Sequence, residues 1–441
     1  MDVLSYPINR YFHVFSWNNE YFLFDVSTHS LFQTDQDVWT DYARGNWTSS
    51  LLELLNEGQN NGYFIPEQYT LDTVKDQRVV KSLCFMLTRA CNFRCSYCFE
   101  NQQPSALSPL LMETSTARTA LDWLIRNSGS QNQLEIDFFG GEPLMAFPVI
   151  HDTVLYARAL EKKHHRKFMF SLTTNASLLN DEIINFLKEH HISAILSLDG
   201  SKKTNDLFRK DKKGHGTYQR SIKKILKLIP HLESGYYVRG TFTHQSLHFS
   251  KEVRHLYEMG IKQISFEPVA SLIHGLAIQD EDLPVLRNEY QVLTEWMLEQ
   301  SSVDPELKFY HFEIDLTKSM CKEKLCSGCG AGVEYLALSP GGEFYPCHQF
   351  DGRKEYLMGS IQKDQLDCQI GRTFAEKTWF FSRSACKDCW ARTLCGGGCL
   401  ANNFILEGTF DIPYLKGCAL QKLRLEAGLY YQARIAQKKS I

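Results

Sequence analysis

The sequence has no apolar run of about 18 residues, so no membrane-spanning helix is expected. It has no excess of one charge: 48 Lys and Arg stand against 51 Asp and Glu, a formal net charge of −3. That balance excludes a generic polyanion binder and leaves no nucleic-acid partner expected, although it does not exclude a local basic groove. Met1 to Arg10 lacks a charged start followed by an apolar stretch, so no signal peptide is expected and the cytoplasm is the expected compartment. There are no internal repeats and no low-complexity tracts. No G-x-G-x-x-G follows the first strand of the α/β region, which argues against a doubly wound dinucleotide-binding sheet. The most telling absence is local: between Phe99 and Met320 there is no cysteine at all.

Elsewhere cysteine is abundant. The chain has 441 residues and 14 cysteines. Without export these are not expected to form disulfides, and in a reducing compartment the count points to metal or redox chemistry. One stands at Cys84, three lie within Cys91 to Cys98, and ten lie between Cys321 and Cys418. Structural thiols would be scattered through a core; two dense groups look like ligand sets. The length suggests two or three domains at about 150 residues each.

The first 80 residues read as a small α+β unit. Tyr11 to Trp17 and Tyr21 to Phe24 are aromatic-rich strands joined by a tight turn at Asn18-Asn19. Thr48 to Leu55 reads as a helix with a hydroxyl cap and Gly58 as its stop, and a weaker helix covers Gln36 to Ala43. Thr70 to Val79 reads as a linker. From Lys81 the pattern becomes strand and helix in alternation. Strands are expected at Leu83–Leu87, Leu134–Phe139, Phe168–Thr173, Ile192–Leu198, Tyr236–Thr243 and Ile261–Phe266. Helices fall between them, for example at 116–125, 180–190, 218–229 and 250–259, with Asp280 to Gln300 closing the series. Six such units imply a parallel α/β fold, a partial (β/α)6 barrel. The last region, 305–441, shows few long periodic segments and reads as dependent on metal for its fold.

The first cysteine set, Cys91-Asn-Phe-Arg-Cys95-Ser-Tyr-Cys98, is a C-x3-C-x2-C directly after the first strand, where barrel sites are built. Three thiolates hold three corners of a [4Fe–4S] cubane and leave one iron open. A zinc site is the alternative, but structural zinc wants four closed ligands. With Tyr97 before the last cysteine, the motif resembles the signature of radical S-adenosylmethionine enzymes. Phe139-Gly140-Gly141-Glu142-Pro143 resembles the glycine-rich stretch that meets the methionine amino group. Thr173-Thr174-Asn175 and Ser197-Leu198-Asp199-Gly200 resemble later strand-end motifs. Arg209 sits where such enzymes place the arginine for the methionine carboxylate, and Glu267 ends the sixth strand. The resemblance implies that Tyr97, Gly140, Gly141, Glu142, Thr174, Asn175, Ser197, Asp199, Arg209 and Glu267 surround S-adenosylmethionine. It also implies a 5′-deoxyadenosyl radical that takes a hydrogen atom from an unactivated carbon, with the protein positioning and shielding it.

The second set is Cys329, then Gly342 to Cys347, then Cys386-x2-Cys389-x5-Cys395-x3-Cys399, then Cys418. It resembles the SPASM extension, which carries two auxiliary [4Fe–4S] clusters and would bring the total to three. By that resemblance Cys386, Cys389, Cys395 and Cys418 close one cluster, and Cys329, Cys347 and Cys399 hold three corners of the other. Cys321 or Cys326 completes it, or it stays open for substrate. Cys84 and Cys368 read as spare, one in a core strand and one in a loop. Tyr345-Pro-Cys347-His348 and the text around it resemble ranthipeptide (SCIFF) maturases, which install thioethers in cysteine-rich ribosomal peptides. Sulfatase maturases place an aspartate base at the position of His348; the histidine is either a proton acceptor or a structural ring at a cluster edge.

The N-terminal unit resembles the PqqD-like, winged-helix-like element that binds a leader peptide as an added strand. The expected organisation is therefore a recognition domain at 1–80, a radical S-adenosylmethionine barrel at 81–304 and a SPASM domain at 305–441. The expected activity is thioether formation on a cysteine-containing precursor peptide, with a flavodoxin or ferredoxin as electron donor. Side-chain oxidation or C–C crosslinking, including sulfatase-maturase-like chemistry, is the second enzymatic reading. A non-catalytic, metal-bound peptide-binding protein is the reading of another class. The basic stretch 208–227 reads as a solvated helix and its entry loop.

Overall fold

The computed structural model describes residues 10–46, 48–64, 79–99, 111–233, 235–314, 316 and 328–439. Cys321, Cys326 and nearly all of the expected linker at Thr70 to Val79 lie outside the described residues. The chain divides into two compact units, each assembled from separated stretches: 1–76, 279–329 and 377–441 form one, 77–278 and 330–376 the other.

The first unit opens with a three-stranded antiparallel sheet, β1 (Phe12–Trp17), β2 (Glu20–Asp25) and β3 (Leu31–Thr34), in that order. The β1–β2 turn is the two-residue Asn18-Asn19, both at positive φ, the geometry that matches strand twist. Helices α1 (Gln36–Arg44) and α2 (Ser49–Asn60) follow. Asp35 and Thr48 cap them, accepting from the Val38 and Leu51 amides. Gly58 does not stop α2; the helix runs on to Asn60, and the missing side chain makes room for the Phe64 ring.

Period-two alternation gives β1 and β2 two buried faces. Phe12, Val14 and Leu23 join Val38, Leu51, Leu55 and Phe64 in a core under the helices. On the other face, Trp17 and Phe22 meet Tyr430, and His13 and Phe24 meet Trp390. Tyr430 belongs to a helix at Leu415–Lys439, whose 25 residues make it the longest described helix. Its sequence, with few long periodic segments in this region, does not announce it. The apolar residues of this helix are spread around its circumference, because the sheet, the helix Leu283–Gln300 and the turn Tyr310–Phe312 all pack on it.

The second unit is the expected α/β core. Its parallel strands are β4 (Ser82–Thr88), β5 (Gln133–Gly140), β6 (Lys167–Thr174), β7 (Ser193–Ser197), β8 (Tyr236–Phe242) and β9 (Gln263–Pro268). They lie side by side in chain order. Helices at 114–127, 147–164, 181–189, 202–208, 218–228 and 249–258 make the crossovers. Crossovers of one hand in one direction put every helix on the same face and leave the other face inward. β4 is buried along its whole length, as a central parallel strand should be.

The sheet continues past β4. Tyr335–Leu338 pairs parallel to it, with Ala337 opposite Cys84, and Glu343–Tyr345, Gly359–Ser360 and Gln365–Leu366 extend it antiparallel. Cys368, expected in a loop, is instead the first residue of the helix Cys368–Thr378.

Candidate functional site

The loop after β4 carries Cys91, Cys95 and Cys98. Its backbone is stapled to the segment that carries Arg209: the Arg94 amide donates to the Lys210 carbonyl (2.7 Å) and the Ser96 amide to the Phe208 carbonyl (3.0 Å). Side chains repeat the link. Arg209 donates to the Tyr97 hydroxyl (3.0 Å), which donates to Asp199 Oδ2 (2.6 Å), while Asp199 Oδ1 accepts from the Thr241 amide (3.0 Å). Arg209 and Asp199 are buried. Burial pushes the Asp199 carboxyl up, and Arg209 and the Tyr97 hydroxyl oppose that rise.

The three thiols lie close enough to feel one another. Burial, above all, pushes Cys91 up to about 12 and Cys95 to about 11. Thiols so disfavoured as free anions are stabilised as ligands of a cation. Among the described residues no group of three or more His, Cys, Asp or Glu side chains closes on a single ion. Three thiols on one loop, within electrostatic reach of one another, are a donor set that fits the iron–sulfur cluster implied by its spacing.

Gly140 and Gly141 have a visible reason to be glycine. A Cβ on Gly140 would stand 2.4 Å from the Thr88 carbonyl oxygen, and one on Gly141 would stand 2.3 Å from that of Ala90. The pair brings the end of β5 against the backbone entering the cysteine loop, where the Gly141 amide donates to Thr88 (2.7 Å). Glu142 is buried and accepts from Thr174 Oγ1 (2.6 Å), the Asn175 amide (2.9 Å) and the Leu144 amide (3.1 Å). It ties β5 to β6. Asn175 Nδ2 in turn donates to Asn92 Oδ1 at 2.9 Å, inside the cysteine loop. Ser197 ends β7, and Glu267 lies on β9 opposite Thr241.

His348 follows Cys347 in the turn His348–Phe350. Its ring lies against Phe139 (4.6 Å between centroids) and Phe99 (5.8 Å), and its Nδ1 is 3.2 Å from the Tyr335 hydroxyl. Burial, with Arg239 nearby, lowers it to about 4, so the ring is neutral at neutral pH. Tyr335 also hydrogen-bonds the thiol of buried Cys84. Two residues here had no motif to announce them. Arg89 makes a bidentate ion pair with buried Asp351 (2.8 and 2.6 Å), fixing the His348 turn to the end of β4. Tyr335 is the other, legible only once its strand is known to lie beside β4.

In the first unit Cys386, Cys389, Cys395 and Cys418 gather, each within electrostatic reach of others in the set. Arg383, 1% exposed, donates to the Gly397 carbonyl (2.7 Å) and the Thr378 carbonyl (3.3 Å), and its charge opposes the upward push of burial on Cys386. Cys329 and Cys399 are exposed residues of this unit; Cys347 is a buried residue of the other.

Residues 85–247 match the family described as the radical SAM superfamily. These residues are a radical S-adenosylmethionine domain, whose cofactors are S-adenosylmethionine and an iron–sulfur cluster. The chain is 30% identical to an uncharacterized protein of Methanocaldococcus jannaschii over 43% of its own length. It is 27% identical, over 71% of its length, to the antilisterial bacteriocin subtilosin biosynthesis protein AlbA of Bacillus subtilis. The matches span 62% and 66% of those relatives, less than two thirds of either. The fold is similar to the solved structure of native anSMEcpe with bound AdoMet and Cp18Cys peptide. That similarity has a TM-score of 0.67 at 20% identity, over 81% of this chain and 99% of that one.

Proposed function

We propose that the protein is a peptide maturase that forms thioether crosslinks, joining cysteine sulfurs of a ribosomally made precursor peptide to carbon. The observation that carries this reading is the hydrogen-bonded frame around Cys91, Cys95 and Cys98, with four further cysteines gathered in the other unit. The likeness to a bacteriocin biosynthesis protein supports a peptide as substrate.

Cys91, Cys95 and Cys98 would hold the cluster that cleaves the cofactor. Tyr97, Asp199 and Arg209 orient the cofactor's polar end, Arg209 by pairing with its carboxylate. Thr174, Asn175, Ser197 and Glu267 line the strand ends around it, with Gly140, Gly141 and Glu142 holding those ends together. When bound, cluster and cofactor supply a 5′-deoxyadenosyl radical that removes a hydrogen atom from the acceptor carbon. Forming the sulfur–carbon bond also takes a proton from the thiol and leaves one electron to be carried away. Cys386, Cys389, Cys395 and Cys418 would hold one auxiliary cluster suited to carry that electron. Cys329, Cys347 and Cys399, with Cys321, Cys326 or the substrate thiolate, would hold another, which would lower the thiol's pKa. His348, lowered to about 4, holds a proton too weakly to keep it from a thiol and stands as a neutral ring beside Phe139. Residues 1–80 bind the leader along a sheet edge, 81–304 do the radical chemistry, 305–441 hold the auxiliary clusters, and a flavodoxin or ferredoxin delivers electrons.

The test is mass spectrometry of the short cysteine-containing peptide encoded beside the gene, after incubation with anaerobically reconstituted protein and reductant. The expected product is lighter by two hydrogens per link, and its linked cysteines no longer react with iodoacetamide. A lighter product with all thiols free would replace the thioether by a carbon-linked or oxidised product. Cofactor cleavage should vanish when Cys91, Cys95 and Cys98 are all changed to alanine; cleavage surviving that change would overturn the radical reading.

A further inference from the structure

Along β8 the side chains alternate: Tyr236, Val238, Gly240 and Phe242 are buried, and Arg239 between them is exposed. All crossover helices lie on one face of this sheet, so the opposite, inward face is the one that carries Arg239. Its register neighbours on that face are two small hydroxyls, Ser197 on β7 and Ser265 on β9. Neither neutralises a guanidinium. Among the described residues no carboxylate pairs with Arg239 and no hydrogen bond holds its side chain.

The other charged groups near it are already engaged. Asp199 accepts from Tyr97 and from the Thr241 amide, and Arg209 donates to Tyr97. Asp137, further down the inward face, accepts from Ser171. Glu267 has interactions of its own. Arg239 is within electrostatic reach of Asp199 on one side and His348 on the other. It therefore stands between the polar frame of the cysteine loop and the ring that lies against Phe139. An arginine on the inward face, flanked in register by two serines and with no hydrogen bond or ion pair to its side chain among the described residues, is a site for a small planar anion, and the guanidinium fork matches a carboxylate.

We propose that Arg239 clamps a carboxylate of the peptide substrate, an Asp or Glu side chain close to the residue being modified. This rests on the peptide-maturase reading above. It assigns two arginines different anions: Arg209 the cofactor's, Arg239 the substrate's. The clamp acts by orientation, fixing one side chain of the peptide so that a single nearby carbon faces the radical.

The experiment is a display selection on the immobilised, reconstituted full chain with S-adenosylmethionine, using short peptides with one fixed cysteine and randomised flanks. The wild type should enrich Asp or Glu at one position near the cysteine by about tenfold or more. Arg239→Gln should lose that preference, Arg239→Lys should keep part of it, and Arg239→Glu should enrich Lys or Arg at the same position. The last result cannot come from misfolding. Peptides enriched without any acidic preference would overturn the clamp and leave the maturase reading standing; no enrichment of any peptide would overturn both. An equal loss of S-adenosylmethionine binding in Arg239→Gln and Arg239→Lys would also overturn the clamp, by placing the guanidinium on the cofactor.

Discussion

Tyr97 is a single hydroxyl between two buried charges. It accepts from Arg209 and donates to Asp199, so its loss strands an acceptor that water cannot reach. Tyr97→Phe is expected to cost about 1–3 kcal/mol, read as a lower melting temperature of the reconstituted protein and weaker S-adenosylmethionine binding. An unchanged melting temperature with unchanged affinity would show that the frame does not depend on this oxygen. The residue scale is also where the sequence is most legible. Cysteine and glycine positions follow from spacing because few residue types do their work. Arg239 is illegible there: an arginine inside a strand reads the same whether it faces water or a barrel interior, and only the register with Ser197 and Ser265 separates the two. The glycine pair is half legible. Its presence is plain, but its close neighbours, the Thr88 and Ala90 carbonyls, belong to a strand end and the loop after it, some 50 residues away, that only folding brings near.

At the scale of elements, β1 carries two cores on alternate side chains. His13 takes part in the second, stacked 3.9 Å from Trp390 and hydrogen-bonded to Glu426 at 3.0 Å. Burial lowers its pKa below 6.5 against the opposing pull of Glu426. The folded chain thus binds this proton less readily than the unfolded chain. The stability it contributes is present above about pH 6.5 and is lost as pH falls through the lower folded value. His13→Phe keeps the stack and removes the titration. Its melting temperature should fall less than the wild type's between neutral pH and about pH 5; parallel curves would mean another group dominates. The strands and helices of the α/β unit were legible to within a few residues, since alternating apolar runs and polar turns declare them. The short strand β3 and the strand Tyr335–Leu338 were not, because partners distant in sequence, rather than local pattern, make them strands. The helix Leu415–Lys439 was missed for a related reason: it packs on several sides, so it has no single apolar stripe to read.

For the whole molecule, the first compact unit closes only when three separated stretches come together. Removing residues 1–64 should therefore not yield a working enzyme that merely lacks a recognition element. Trp17, Phe22 and Phe24 would leave Tyr430 and Trp390 bare. The shortened chain is expected to bind the dye ANS strongly and to aggregate on gel filtration; a well-behaved monomer with native near-UV circular dichroism would refute this. Spacing groups the cysteines into expected ligand sets, yet it does not say which stretches share a unit, because that is decided by apolar faces meeting across hundreds of residues.

The helix Leu415–Lys439 makes this concrete. Cys418 sits in its first turn, and two turns further on Glu426 holds His13 of the amino-terminal sheet. Such a rod ties the histories of these two distant stretches together. A new amino-terminal sheet acquired by recombination would have to arrive with residues that match Glu426, Tyr430 and Trp390, or wait for them to change. Lineages should thus swap substrates by drifting in the sheet's outer edge while its inner face and this helix vary as a pair, a pattern that covariation across related sequences can check.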